Sequence, residues 1–270
     1  MRTNGTLPRS YLFVPGSRPD RFAKALAAGA HAVIIDLEDA VSPAEKDNAR
    51  AAVAAALPLA QPVLVRINAA GTPWYGDDVR MCRHAGVAGI VLPKAEDAMV
   101  IDRIAADVGE RAAILPLIET ARGLWHASSI AHARGVTRLL FGSIDFQLDL
   151  GLRDEELVHY RSQLVLVSRV ADLPAPVDGV TTAIDDADAL ARDVMRARTL
   201  GFGGKLCIHP KQVDFVNAAF LPAAEEIAWA ERIVAATAEA PGAAVAVDGK
   251  MVDRPVLLRA RDILARARKA

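Results

Sequence analysis

Long apolar runs, one-sided charge, paired cysteines and glycine-rich phosphate turns are all missing from this 270-residue chain. Each absence closes a class of function. No stretch approaches the roughly 18 consecutive apolar residues of a membrane helix, and the opening MRTNGTLPRS has no apolar signal core. A soluble, cytoplasmic protein is the expectation. Lysine and arginine (32) almost balance aspartate and glutamate (33) and are mixed among them. This argues against a nucleic-acid or membrane surface and for small-molecule chemistry. The only cysteines, Cys82 and Cys207, are far apart and fit no zinc or CxxC spacing, so reduced thiols are expected. No G-x-G-x-x-G, P-loop, HExxH or Ser/His/Asp pattern occurs, which leaves dinucleotide binding and nucleophilic hydrolysis without support. His209, before Pro210, reads as a packed residue rather than a base.

What is present is alternation. Short β-branched or aliphatic runs, YLFVP, AVIIDL, PVLVRI, GIVLP, AILPLI, RLLFGS, a weak PVDGV and KLCIH, give eight candidate strands. Between them lie segments with apolar residues at three-to-four spacing, such as 42–57 and 95–108. Ser42-Pro43 followed by Glu45 predicts a helix start with Ser42 as N-cap. Strands alternating with helices imply right-handed crossovers and a parallel sheet, and eight such units imply a closed (β/α)8 TIM barrel over residues 1–220. The competitor is a doubly wound open sheet. Residues 221–270 then predict a helix, a hairpin turning at Asp248-Gly249 and a final helix, an extension that either packs on the barrel or covers a neighbouring subunit's site.

In such a barrel the C-terminal rim of the strands carries the chemistry, so polar residues at strand exits are candidates. Asp36, Glu38 and Asp39 follow AVII, Arg66 and Asn68 follow PVLV, Lys94 follows GIVLP, Glu119 follows ILPLI, and Asp145 follows LLFGSI. An unpaired carboxylate beside a core is costly, so Glu119 and Asp145 on adjacent strands call for a cation. Two hard oxygen donors without nearby histidine or cysteine favour Mg2+ or Mn2+ over zinc. The ordinary alternatives are that Glu119 caps its helix or pairs with Arg122, and that Asp145 is an N-cap. Arg66 suits an anionic oxo acid or an enolate oxygen; otherwise it forms a structural pair with Glu38 or Asp36. Gly142 and Ser143 permit close backbone approach to a ligand.

The stretches SYLFVPGSRPDRFAKAL, VIIDLEDAVSPAEKDNAR, LVRIN, GIVLPK, LPLIETARG, LLFGSIDF, CIHPKQ and VDGKMVDRP, in this order from residue 10 to the last helix, resemble the citrate lyase beta-subunit-like branch of the HpcH/HpaI aldolase superfamily. The resemblance implies a Mg2+-dependent carbon-carbon lyase acting on 3-hydroxyacyl thioesters of CoA or a carrier protein, assembled as a trimer or a dimer of trimers. It implies Glu119 and Asp145 as metal ligands, Arg66 at the oxo-acid oxygens, and Glu38 and Asp39 supporting the metal's waters and that arginine. It further implies Arg18 and Lys24 at the CoA phosphates, and Asp253 on the tail hairpin as acid/base at a neighbouring subunit's site. Ile144 departs from relatives that are polar or acidic there, which bears on substrate choice. Competing expectations are a class II pyruvate aldolase acting on free aldehydes, or a non-catalytic subunit of a citrate lyase complex.

Overall fold

The computed structural model describes residues 7–109, 112–152, 157–238 and 245–268. Eight parallel strands, β1 (Ser10–Pro15), β2 (Ala32–Asp36), β3 (Val63–Arg66), β4 (Val87–Leu92), β5 (Ala113–Ile118), β6 (Leu140–Phe141), β7 (Val177–Asp178) and β8 (Gly204–Cys207), pair strictly in sequence order and close β8 onto β1. The open-sheet alternative is thereby excluded. The weak PVDGV segment does form a strand, of two residues.

Side chains alternate across a strand, so every second residue faces the barrel axis. The axial core takes a residue from every strand: Tyr11, Ala32 and Ile34, Leu64, Val91, Leu115 and Leu117, Leu140, Val177, and Leu206. Each large aliphatic in it contributes about 1.5–3 kcal/mol of burial. The same alternation continues past this layer: Asp36 follows Ile34, Arg66 follows Leu64, and Glu119 follows Leu117 on the inward side. The apolar pattern that fills the barrel therefore delivers three charged residues to its C-terminal rim.

The helices return the chain between strands: α1 (Phe22–Leu26), α2 (Lys46–Ala56), α3 (Tyr75–Met81), α4 (Ala98–Val108), α5 (Ala121–Trp125), α6 (Ala127–Ala131), α7 (Ser143–Asp149), α8 (Val158–Val170), α9 (Ala187–Leu200) and α10 (Val213–Ala219). One expected cap is corrected. The segment after Ser42 opens as a 3-10 turn (Pro43–Glu45), and the Ser42 hydroxyl donates to Glu45 Oε2 at 3.0 Å instead of accepting a backbone N–H. A carboxylate is the stronger acceptor and draws the hydroxyl to itself.

The chain divides into two compact units, Leu7–Asn217 and Ala218–Ala270. Within the second, α11 (Ala224–Ala238), β9 (Val245–Val247), β10 (Lys250–Val252) and α12 (Arg254–Ala267) form a helix, a hairpin and a helix. They enclose their own small core of Ala230, Ile233, Val252, Ala260 and Ile263. Asp248 and Gly249 both have positive φ, 51° and 72°, as a two-residue hairpin turn of the right twist requires. No helix among the described residues is long and apolar enough to cross a membrane.

Candidate active site

Asp36 and Arg66 are register partners on β2 and β3, so the acid and the guanidinium meet side by side. Arg66 Nε donates to Asp36 Oδ1 at 2.7 Å and an Nη to Asp36 Oδ2 at 2.5 Å, the forked geometry that fixes an arginine's plane. Its other Nη lies 3.0 Å from Glu38 Oε2 and 3.9 Å from Asp39 Oδ2. The guanidinium also lies over the Phe13 ring, 4.9 Å from its centre. The structural pair weighed as an alternative is real, and it leaves Arg66 on the wall of a cavity.

Asp36 is equally constrained, accepting the backbone N–H groups of Glu38 and Ala40. Lys46 Nζ donates to the carbonyls of Leu37 and Glu38 at 2.8 and 2.6 Å and so pins the acidic turn from below. Glu38 is buried, with Oε1 receiving Lys94 Nζ at 2.9 Å. Burial raises its pKa against the opposing pull of Arg66 and Lys94.

Glu119 is 2 % exposed, and its Oε1 accepts the Lys94 backbone N–H at 2.7 Å. It does not cap α5. Thr120 does, accepting from Gly123 N at 3.0 Å, and Arg122 lies 3.9 Å from Glu96 instead. Asp145 sits in the first turn of α7, whose N-cap is Gly142, so it is no cap either. Among the described residues no hydrogen bond or ion pair reaches its carboxylate. Gly142 is demanded by this packing, because a Cβ there would lie 2.4 Å from Glu119 Oε2. Burial, with the charges of Glu38 and Asp145, pushes the Glu119 pKa up to about 8.

A cavity of about 310 Å³ at the C-terminal rim is lined by Asp36, Asp39, Arg66, Glu119 and Asp145 together with the apolar side chains of Ile144, Val180, Leu206 and Ile208. Glu38 stands behind Arg66. Arg18 and Lys24 follow β1 and do not line the cavity: Arg18 is exposed and paired with Asp20 at 2.7 Å, and Lys24 is exposed on α1. Asp253 belongs to the other unit, where its side chain caps α12 by accepting Val256 N at 3.3 Å. His209 caps the turn after β8 by accepting Lys211 N. Sequence reasoning named Asp36 and Lys94 only as strand-exit residues, Asp36 as a candidate structural partner of Arg66, and did not single out Lys46. The inward alternation on β2 could have found Asp36; the two lysines act through turns that no spacing announces.

An acid-rich cavity at the C-terminal mouth of a closed (β/α)8 barrel is the arrangement of a barrel enzyme with its chemistry on the strand exits. Residues 9–210 match the family described as HpcH/HpaI aldolase/citrate lyase, and residues 157–269 match a carbon-carbon bond lyase of the TIM-barrel fold. The chain belongs to the HpcH/HpaI aldolase/citrate lyase family. A citrate lyase subunit beta-like protein of Deinococcus radiodurans is 36% identical over 285 residues, covering 98% of this chain and 99% of the relative. A (3S)-malyl-CoA thioesterase of Cereibacter sphaeroides is 36% identical over 272 residues, covering 96% and 94%. The crystal structure of CitE from Mycobacterium tuberculosis in complex with magnesium, acetoacetate and coenzyme A superposes with a TM-score of 0.85 at 38% identity, covering 96% of this chain and 98% of that one.

Proposed function

We propose that the chain is a Mg2+-dependent carbon-carbon lyase that splits, or forms, a 3-hydroxyacyl-CoA thioester, giving an acyl-CoA and a 2-oxo acid. One observation carries the reading: two carboxylates, Glu119 and Asp145, share the cavity without a cation of their own, next to an arginine already locked in orientation. The donor set fits Mg2+. Both side chains offer hard oxygens, and the raised pKa of Glu119 marks a cost of ionising it in its buried place that a divalent ion would offset. No group of three His, Cys, Asp or Glu residues suited to a metal occurs among the described residues. Waters and substrate oxygens would complete the shell, as Mg2+ usually requires. Support for this metal and for the CoA thioester also comes from the relatives crystallised with magnesium, coenzyme A and oxo acids.

When bound, the ion would act as a Lewis acid on the substrate's oxygens. The chain's own groups do the rest. Arg66, held by Asp36 and Glu38, faces the negative oxygens of the oxo acid and the thioester enolate without having to reorganise. Asp39 orders water at the cavity edge. Asp253, supplied by a neighbouring subunit's hairpin, takes the proton of the 3-hydroxyl as the carbon-carbon bond breaks and its electron pair passes to the departing thioester. Arg18 and Lys24 hold the CoA phosphates. This assignment requires an oligomer, a trimer or a dimer of trimers, and the enzyme works in the cytoplasm.

The test is to offer the purified chain malyl-CoA, (S)-citramalyl-CoA and citryl-CoA with Mg2+, and to measure glyoxylate, pyruvate or oxaloacetate. Turnover that needs Mg2+ and disappears in Glu119→Ala supports the lyase. The relatives named (3S)-malyl-CoA thioesterase favour a second reading, hydrolysis of the thioester. Free CoA and malate appearing from malyl-CoA with no acetyl-CoA would select it.

A further inference from the structure

Lys94 follows β4 by two residues and is one of three non-glycine residues with a left-handed backbone among the described residues, φ 46°. Glycine is the usual occupant of such a position, because a Cβ is strained there. The surroundings hold the turn in place. Ala95, the next residue, is buried, its N–H bonds the Leu117 carbonyl on β5 at 3.3 Å, and its own carbonyl packs so tightly on Gly123 that a Cβ there would lie 2.6 Å away. The strained residue does two things at once. Its backbone N–H points at Glu119 Oε1 (2.7 Å) and its ammonium at Glu38 Oε1 (2.9 Å), while the other oxygen of Glu38 faces Arg66.

We propose that Lys94 is a positioning residue that sets the direction of the Glu119 carboxylate through its backbone amide and steadies Glu38, and through it Arg66, with its side chain. A glycine could make the first contact and cannot make the second, which accounts for a lysine in a conformation that disfavours it. The inference rests on the metal reading of Glu119 given above, but its two arms can be separated by mutation.

Lys94→Gly and Lys94→Met both remove the ammonium; glycine keeps the turn without strain. Lys94→Val also removes it and, being β-branched, resists the left-handed backbone. Partners that orient metal ligands from outside the coordination shell usually cost about 10- to 100-fold in metal affinity or activity when lost. The expectation for Lys94→Gly and Lys94→Met is a fall in kcat of about that size with Mg2+ affinity, by calorimetry, nearly unchanged. Lys94→Val should in addition weaken Mg2+ by about 10-fold or more. Should Lys94→Val fail to fold, the glycine variant still decides: loss of Mg2+ affinity there as large as the loss of kcat overturns the division of labour. An unchanged kcat in Lys94→Met overturns the side-chain arm. If the unmutated protein binds no Mg2+, the metal reading falls. Crystal structures of the unmutated protein and of Lys94→Met then decide the positioning role, which is overturned if Glu38 and Arg66 keep the same places in both.

Discussion

Two groups of buried charge sit in the same barrel unit and are built on opposite principles. Around β7 and β8 Asp178 and Asp193 each have a basic partner: Arg161 donates to Asp178 at 2.9 Å, and Asp193 takes an Arg196 N–H at 2.7 Å and the Thr181 hydroxyl at 2.6 Å. Lys205, which lies 4.0 Å from Asp193, donates to the Gly179 carbonyl. Around β2 to β6, by contrast, Arg66 and Lys94 are spent on Asp36 and Glu38, Lys46 is held by the Leu37 and Glu38 carbonyls, and among the described residues no ion pair reaches Glu119 or Asp145. Both groups are desolvated, so burial alone does not separate structure from function. Charge balance does: the first group is neutralised from within, whereas in the second Glu119 has no basic side chain of its own and burial keeps it protonated until a cation offsets its charge.

Removing a carboxylate from the unbalanced group should have the largest effect. Glu119→Ala should abolish Mg2+ binding by calorimetry and thioester turnover together, and retention of either would break the contrast. Next is Arg66→Met, expected to lower kcat by about 10²- to 10³-fold, since it deletes a preorganised donor at developing charge. The same change leaves Asp36 without its partner, so the melting temperature should drop as well. In the balanced group, Arg161→Met should cost about 3–5 kcal/mol in denaturant titrations, the penalty of an abandoned buried acid. Turnover of the folded variant should stay close to normal; a collapse in kcat with stability intact would erase the distinction. A gentler probe is pH. Because Glu119 in the metal-free fold holds its proton up to about pH 8, the folded state binds a proton that the unfolded chain releases in the ordinary carboxylate range. Metal-free stability should therefore be greatest at low pH on this account and decline as pH rises to about 8. Melting curves across that window should show the slope in chelator and lose it in Mg2+ or in Glu119→Gln. The smallest effect is expected for Thr120→Ala, about 1 kcal/mol for a lost helix cap, with Mg2+ affinity unchanged because Thr120 and not Glu119 holds the cap.

Most of the barrel could be read from the chain because its strands are buried on both faces and write themselves as aliphatic runs, down to the two-residue Val177–Asp178. The exits were legible for the same reason: a charge directly after such a run has few places to go but the rim. The site's finer wiring was not. The Glu119–Lys94 contact joins residues just past the ends of two different strands through a backbone amide in a left-handed turn, which composition and spacing do not encode. Ser42 carried a correct helix-start signal, and its hydroxyl still went to Glu45, since capping depends on which acceptor wins locally. Asp253 illustrates the opposite limit. Its place in the fold is that of a helix cap, a sufficient local reason for an aspartate, and its assignment as acid/base at a neighbouring subunit's site is a proposal.

Barrel closure has a consequence for how the protein is made. Strand β1 is completed by β8, with Ser10 paired to Lys205 and Leu12 to Cys207. During synthesis the first strand leaves the ribosome long before its second neighbour exists, and it presents an apolar, unpaired edge throughout that interval. Such long sequence separation slows folding, since the entropy of closing the loop is spent before the contacts that repay it are formed. The seam between β1 and β8 should thus be the last part of the barrel to gain protection in pulse-labelled hydrogen exchange, and the nascent chain should be most prone to aggregation just before residues 204–207 emerge.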